Sequence, residues 1–187
     1  NDILFPYPGK EKIPVIEALD GQLVTNKIFL KPLIQDGQII SDTENDILKL
    51  VVVNRYTTAP PAIAFIKNFG IKRGAIASSV AHDSHNIIAV GADDLSIARA
   101  INLIIQHRGG ICCVDKHEEQ ILPLPVAGLM NSEDGYYVAE QYAKLDKKAK
   151  AMGAHLSAPF MTLSFMALLV IPEIKLSDMG LFDGKAF

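Results

Sequence analysis

The chain has 187 residues, 49% of them hydrophobic, enough to bury a sizeable core in one domain with a short appendage. Lys and Arg number 18 against 21 Asp and Glu, a net charge of −3, and no basic block occurs. Nucleic acid and an anionic membrane surface are therefore not expected partners. The longest apolar stretch, Leu163 to Pro172, is broken by Ser164 and is too short to span a bilayer. Asn1-Asp2-Ile3 has neither the basic start nor the apolar core of a signal peptide. The adjacent cysteines Cys112 and Cys113 would point to opposite faces of a strand, so no disulfide joins them and a reducing, cytoplasmic location is expected.

Residues 1–45 carry Pro6, Pro8, Pro14 and Pro32 among short apolar patches. They are expected as short strands that link to, or lie on, another unit, because none could bury a core alone. Residues 46–187 then form an α/β domain. Asp46 to Arg55 is a strand, and its three successive valines imply burial on both faces. Tyr56 to Pro61 breaks it, with Pro60-Pro61 held extended. Ala62 to Phe69 fits either period.

The helices are better marked. Asp93 or Asp94 can cap one whose inward residues are Leu95, Ala98, Ile101, Ile104 and Ile105. It ends at His107-Arg108-Gly109-Gly110, where glycine can turn left-handed, so His107 reads as a helix-end residue rather than a catalytic one. Ile111–Asp115 and Gln120-Ile121-Leu122 form a hairpin across a charged turn, ended by Pro123 and Pro125. A second helix covers Ser132 to Met152, with Val138, Tyr142, Leu145, Ala149 and Met152 inward. Its Lys144, Lys147, Lys148 and Lys150 form a solvated face, and Gly153 stops it. The Met- and Phe-rich run 159–166 reads as core, and Ile171 to Asp183 as an extended finish. Interleaved strands and helices make the fold an α/β sandwich, a mixed β-sheet with helices packed on it.

Chemistry concentrates in one place. Ser78-Ser79-Val80-Ala81-His82-Asp83-Ser84-His85-Asn86 crosses between two apolar strands, with two of the five histidines inside nine residues. All its polar side chains can hydrogen-bond, and His and Asp can move protons or bind metal. The competing reading is a turn whose side chains bond their own backbone. There is no glycine-rich phosphate loop, CxxC pair, His-x-His, HExxH or nucleophile elbow. His82, Asp83 and His85 alone would make a thin metal cage.

Three blocks, SSVAHDSHNIIAVG (78–91), LPLPVAGLM (122–130) and PFMTLSF with VIPEIKLSDMGL (159–165, 170–181), together resemble the C-terminal domain of bacterial adenine deaminases, over about residues 13 to 183. The resemblance breaks near Asn54–Pro61, where the family pattern has a histidine in place of Tyr56 and a glycine-rich stretch in place of Thr57–Pro61. It implies a part of an amidohydrolase-superfamily enzyme of adenine catabolism, which hydrolyses adenine to hypoxanthine and ammonia. It also implies a divalent metal (manganese, iron or zinc) held by an N-terminal (β/α)8 barrel absent from this chain, with no metal ligand here. The partners implied are adenine, that barrel and further copies of the enzyme in a homo-oligomer. His82 and Asp83 become candidate catalytic residues acting from a lid over the barrel, and Ser79, Ser84, His85 and Asn86 candidate substrate-binding residues. The chain alone is expected to be inactive. The alternative is a non-catalytic structural, oligomerisation or small-molecule-binding module.

Overall fold

In a computed structural model, which describes residues 3–186, the strand-forming runs gather into one large sheet. In chain order the first strands are β1 (Ile13–Ala18), β2 (Thr25–Leu30), β3 (Leu33–Gln35), β4 (Gln38–Ile40), β5 (Ile47–Val53), β6 (Ala62–Lys67), β7 (Ala75–Ser78) and β8 (Ile87–Gly91). Helix α1 (Asp94–Gln106) follows, then β9 (Gly110–Val114), β10 (Glu119–Pro123), α2 (Gly135–Ala151), α3 (Pro159–Phe165), β11 (Ile174–Ser177) and β12 (Gly180–Asp183). Eight strands form the main sheet in the order β10-β9-β7-β8-β5-β6-β1-β2. It is mixed: β1 runs parallel to β6, and the other neighbouring pairs are antiparallel.

Strand β5 shows why the sheet is covered on both faces. Leu48, Leu50 and Val52 point into a core shared with Leu145, Ala149 and Met152 of the α2 region and Leu163 of α3. Val51 points the other way, with Ala75 and Ala77, onto Ile97, Ala100, Ile101 and Ile104 of α1. Each aliphatic side chain so buried contributes roughly 1.5–3 kcal/mol. Cys112 and Cys113 fall on opposite faces as alternation requires, both free, and burial pushes the Cys113 thiol up to about 12. Lys49 is fully buried on the α1 side, its ammonium donating to Asp94 at 2.7 Å and to the Ile3 carbonyl at 3.0 Å.

Three expectations change. The inward face of α1 is Ser96, Ile97, Ala100, Ile101 and Ile104, while Leu95 is 71% and Ile105 53% exposed. Asp93 caps Ser96 through both its amide and its hydroxyl, and Gly91 leaves room for Ile97. This turns Ile97 and Ala100, with Ile101 and Ile104, onto the β7 alanines. The left-handed turn after α1 starts one residue earlier than expected, at Arg108 (φ 59), and Gly109 (φ 130) continues it. Lys148 is not on the wet face, because α2 leans over the β9–β10 turn and its ammonium meets Asp115 at 3.2 Å and Glu118.

The N-terminal strands split in two. β1 and β2 belong to the main sheet, whereas β3 and β4 form a separate hairpin. A third core of Ile13, Val15, Ile39, Ile47 and Phe65 packs the two pieces together. The ambiguous run 62–69 is strand β6. Among the described residues no helix is long and apolar enough to cross a membrane.

Candidate functional site

The crossing between β7 and β8 is fixed at both ends by its own polar side chains. Ser79 is fully buried. Its hydroxyl donates to the Gly128 carbonyl at 2.6 Å and accepts from the Gly110 amide at 2.8 Å. Asn86, 2% exposed, accepts the Arg55 amide at 3.3 Å, so it ties the start of β8 to the end of β5. Between these anchors the His85 amide bonds back to the Ala81 carbonyl at 2.6 Å, with His85 in the left-handed region at φ 52.

That turn pushes its middle outward. Asp83 and Ser84 are exposed, and His82 and His85 are half-buried. The His82 amide donates to the Ser164 carbonyl at 3.0 Å, and its ring stacks on Phe165, centroids 4.9 Å apart at 29°. Helix α3 therefore holds the imidazole. The His82 and His85 rings lie 5.8 Å apart, edge to face. Burial holds the His85 imidazole below the ordinary histidine value, with the His82 and Arg55 charges adding to it and Asp83 opposing. Its Nδ1 is buried without a hydrogen-bond partner among the described residues.

The segment following β5, expected only as a breaker, forms the other wall. Asn54 Oδ1 accepts from the amides of Tyr56 and Thr57 at 2.8 and 2.9 Å, while its Nδ2 donates to Asp178 at 2.7 Å. The Tyr56 hydroxyl donates to the Ser84 carbonyl at 2.9 Å. Arg55 lies over the Tyr56 ring, 5.0 Å from its centroid, and donates to the Ala127 carbonyl at 2.7 Å. Two adjoining hollows, of about 590 and 580 Å³, share Arg55, Tyr56 and Arg108 as lining. The crossing thus brings His82, Asp83, Ser84 and His85 together at the surface and leaves Ser79 and Asn86 beneath as ties. Sequence reasoning missed Arg55, Tyr56 and Arg108. A polar, basic stretch leaving a strand buried on both faces was the available clue.

Whether these residues suit a metal can be judged from the donors. Among the described residues no group of three or more His, Cys, Asp or Glu side chains is placed to hold one ion. The crossing does not fit a divalent metal.

Comparison with known proteins places the chain. Residues 22–187 match the model of the family described as the adenine deaminase C-terminal domain. The chain belongs to that family. Over 174 residues, 92% of the chain, it is 55% identical to a protein named adenine deaminase from Sulfurovum sp. (strain NBC37-1), covering 31% of that protein. It is 53% identical over 179 residues to adenine deaminase of Methanosarcina acetivorans, covering 96% of the chain and 32% of the relative. For adenine deaminase of Salinibacter ruber the figures are 50% over 181 residues, 96% and 33%. This adenine deaminase C-terminal domain thus spans about a third of the length of those curated relatives, and the rest of their length has no counterpart here.

Proposed function

We propose that this domain is the C-terminal part of a cytoplasmic adenine deaminase, and that the crossing at 82–86 works at the mouth of its active site. The relatives' name and their threefold greater length support the first half. The second half rests on one observation: the crossing holds a histidine and a carboxylate outward on a turn whose ends are locked. The divalent ion (manganese, iron or zinc) of this reading belongs on the amidohydrolase barrel of the complete protein. In this reading the His82 imidazole carries a proton toward the departing ammonia, and the Asp83 carboxylate orients it. Ser84 contacts the purine, and Ser79, His85 and Asn86 keep the turn in shape.

General acid–base help of this kind is worth about 10² to 10⁴ in rate. In the full-length protein, His82→Ala and Asp83→Ala should lower turnover by that range with little change in Tm. Full activity in both variants would make the crossing structural.

A second reading, that the domain serves mainly to pack or to oligomerise, has its own support. Phe29 on β2 is 54% exposed, at the edge of the main sheet, and Leu33 and Ile34 on β3 are 43% and 41% exposed. An edge strand with bare apolar side chains invites a partner. Phe29→Lys should then shift the sedimentation of the full-length protein toward smaller species and leave the turnover of whatever monomer remains intact.

A further inference from the structure

We propose that the cleft between residues 54–58 and the glycine turns at 109 and 128 binds an anionic small molecule, a phosphate or carboxylate on a flat apolar body. The charge pattern motivates this. The two hollows are lined by Arg55, Arg108 and His85 and by no Asp or Glu, in a chain whose net charge is −3. A third hollow, at the β3–β4 hairpin, is the reverse, with Asp36, Asp93 and Asp94 in its lining.

Neither arginine is neutralised. Among the described residues neither makes an ion pair, and the Arg108 side chain makes no hydrogen bond. Arg55 Nε is buried with no acceptor among the described residues. Two guanidinium groups facing one cleft repel each other unless an anion lies between them. A guanidinium offers carboxylate and phosphate a planar fork of donors.

The surroundings are built around these groups. A Cβ at Gly128 would stand 2.0 Å from Arg55 Nη1, and one at Gly109 would stand 2.3 Å from the Gly128 Cα, so both positions need glycine. Ser79 ties the two turns together from beneath. The apolar wall is Val53, Ile87, Ile104 and Ile105. The outward setting of Ile105, unexpected from helix periodicity, supplies part of it. A volume of about 590 Å³ is of small-molecule size. Adenine is uncharged at neutral pH and offers two guanidinium groups neutral ring-nitrogen acceptors but no charge to balance theirs, so this ligand is of another class and goes beyond the deamination reading.

Calorimetry on the full-length protein at low salt tests this with phenyl phosphate, benzoate, inorganic phosphate and phenol. Phenyl phosphate or benzoate should bind more tightly than inorganic phosphate, phenol should not bind, and added salt should weaken the anions. Arg55→Gln and Arg108→Gln should each weaken the aromatic anion about tenfold or more. Lys147→Gln, which removes a cation from the exposed face of α2, should leave it unchanged. Because Arg55 also holds the Ala127 carbonyl, Arg108→Gln decides the matter. Unchanged affinity in Arg108→Gln, equal binding of phenol, or no binding of any anion at millimolar concentration would overturn the proposal.

Discussion

The Tyr56 hydroxyl donates to the Ser84 carbonyl at 2.9 Å, joining the segment that leaves β5 to the outermost point of the β7–β8 crossing. Asn54 fixes Tyr56 from the other side by accepting its amide, and Asp178 of the closing hairpin fixes Asn54 in turn. Three segments far apart in the chain therefore set the shape of one turn. Tyr56→Phe keeps the ring under Arg55 and removes the tie. The bond is exposed, so its loss should cost about 1 kcal/mol or less. Amide exchange at Ser84 and His85 should speed up while the β5 amides stay protected. Unaltered exchange in the crossing would mean that Ser79 and Asn86 hold it unaided.

Much of this architecture was legible because the pattern and the packing agree. The valines of β5 and the alternation of Cys112 and Cys113 each have one solution in a sheet covered on both faces. The orientation of α1 was not legible. The apolar residues of that helix spread over too wide an arc for periodicity to choose an inward face, and the choice fell to the Asp93 cap and the space above Gly91. The crossing was visible as a cluster, but which members are ties and which are exposed depends on glycines 110 and 128, distant in sequence. Arg55 and Arg108 could not be paired by any local pattern. They line one cleft only because β5 ends beside the turn after α1.

His85 should make stability depend on pH below neutrality. Its folded value is held below the ordinary 6.5, chiefly by burial. As pH falls through 6.5 the unfolded chain takes up the proton first, so stability present above that value is lost toward the lower folded value. Asparagine tolerates the left-handed backbone at position 85 and does not titrate. His85→Asn should flatten that part of the stability curve, measured by urea unfolding between about pH 5 and pH 7. An unchanged slope would assign the dependence to another group.

Lys175 presents the opposite case at alkaline pH. It is fully buried, among the described residues its ammonium donates only to the Leu23 carbonyl at 2.6 Å, and burial pushes it down to about 8. Between about 8 and the ordinary 10.5 the unfolded chain binds the extra proton, so stability rises with pH across that window. Below it, the cost of burying the charge is fully present. Lys175→Met removes the charge and roughly keeps the volume. The variant should be more stable at pH 7 by roughly 1–3 kcal/mol and should lose the alkaline rise. Thermal unfolding at pH 7 and pH 10 separates these outcomes, and a lower Tm at pH 7 would show that the Leu23 bond outweighs desolvation.

Asp115 and Lys148 should behave as a coupled pair and not as two surface charges. The Asp115 carboxylate accepts the amides of His117 and Glu118 at 3.0 and 3.1 Å, closing the β9–β10 turn, and these bonds hold its carboxyl below the usual carboxylate range. Lys148 reaches the same carboxylate from α2 and also meets Glu118, so one ammonium clamps helix to hairpin. Its side chain is only 18% exposed, against 56% for Lys144, which makes an ordinary pair with Glu140 along the helix. Asp115→Asn should cost about 1–3 kcal/mol, because two backbone amides lose a charged acceptor. Lys148→Ala should cost about 1 kcal/mol, more than the few tenths expected for Lys144→Ala. If the clamp acts through Asp115, the double variant should be less destabilised than the two single costs added together, since either change already breaks the contact. Strict additivity in a double-mutant cycle would reduce Lys148 to a solvated lysine. In acid, the Asp115 contribution should be lost as pH falls below 3.8 toward the lower folded value, a loss that Asp115→Asn would not show.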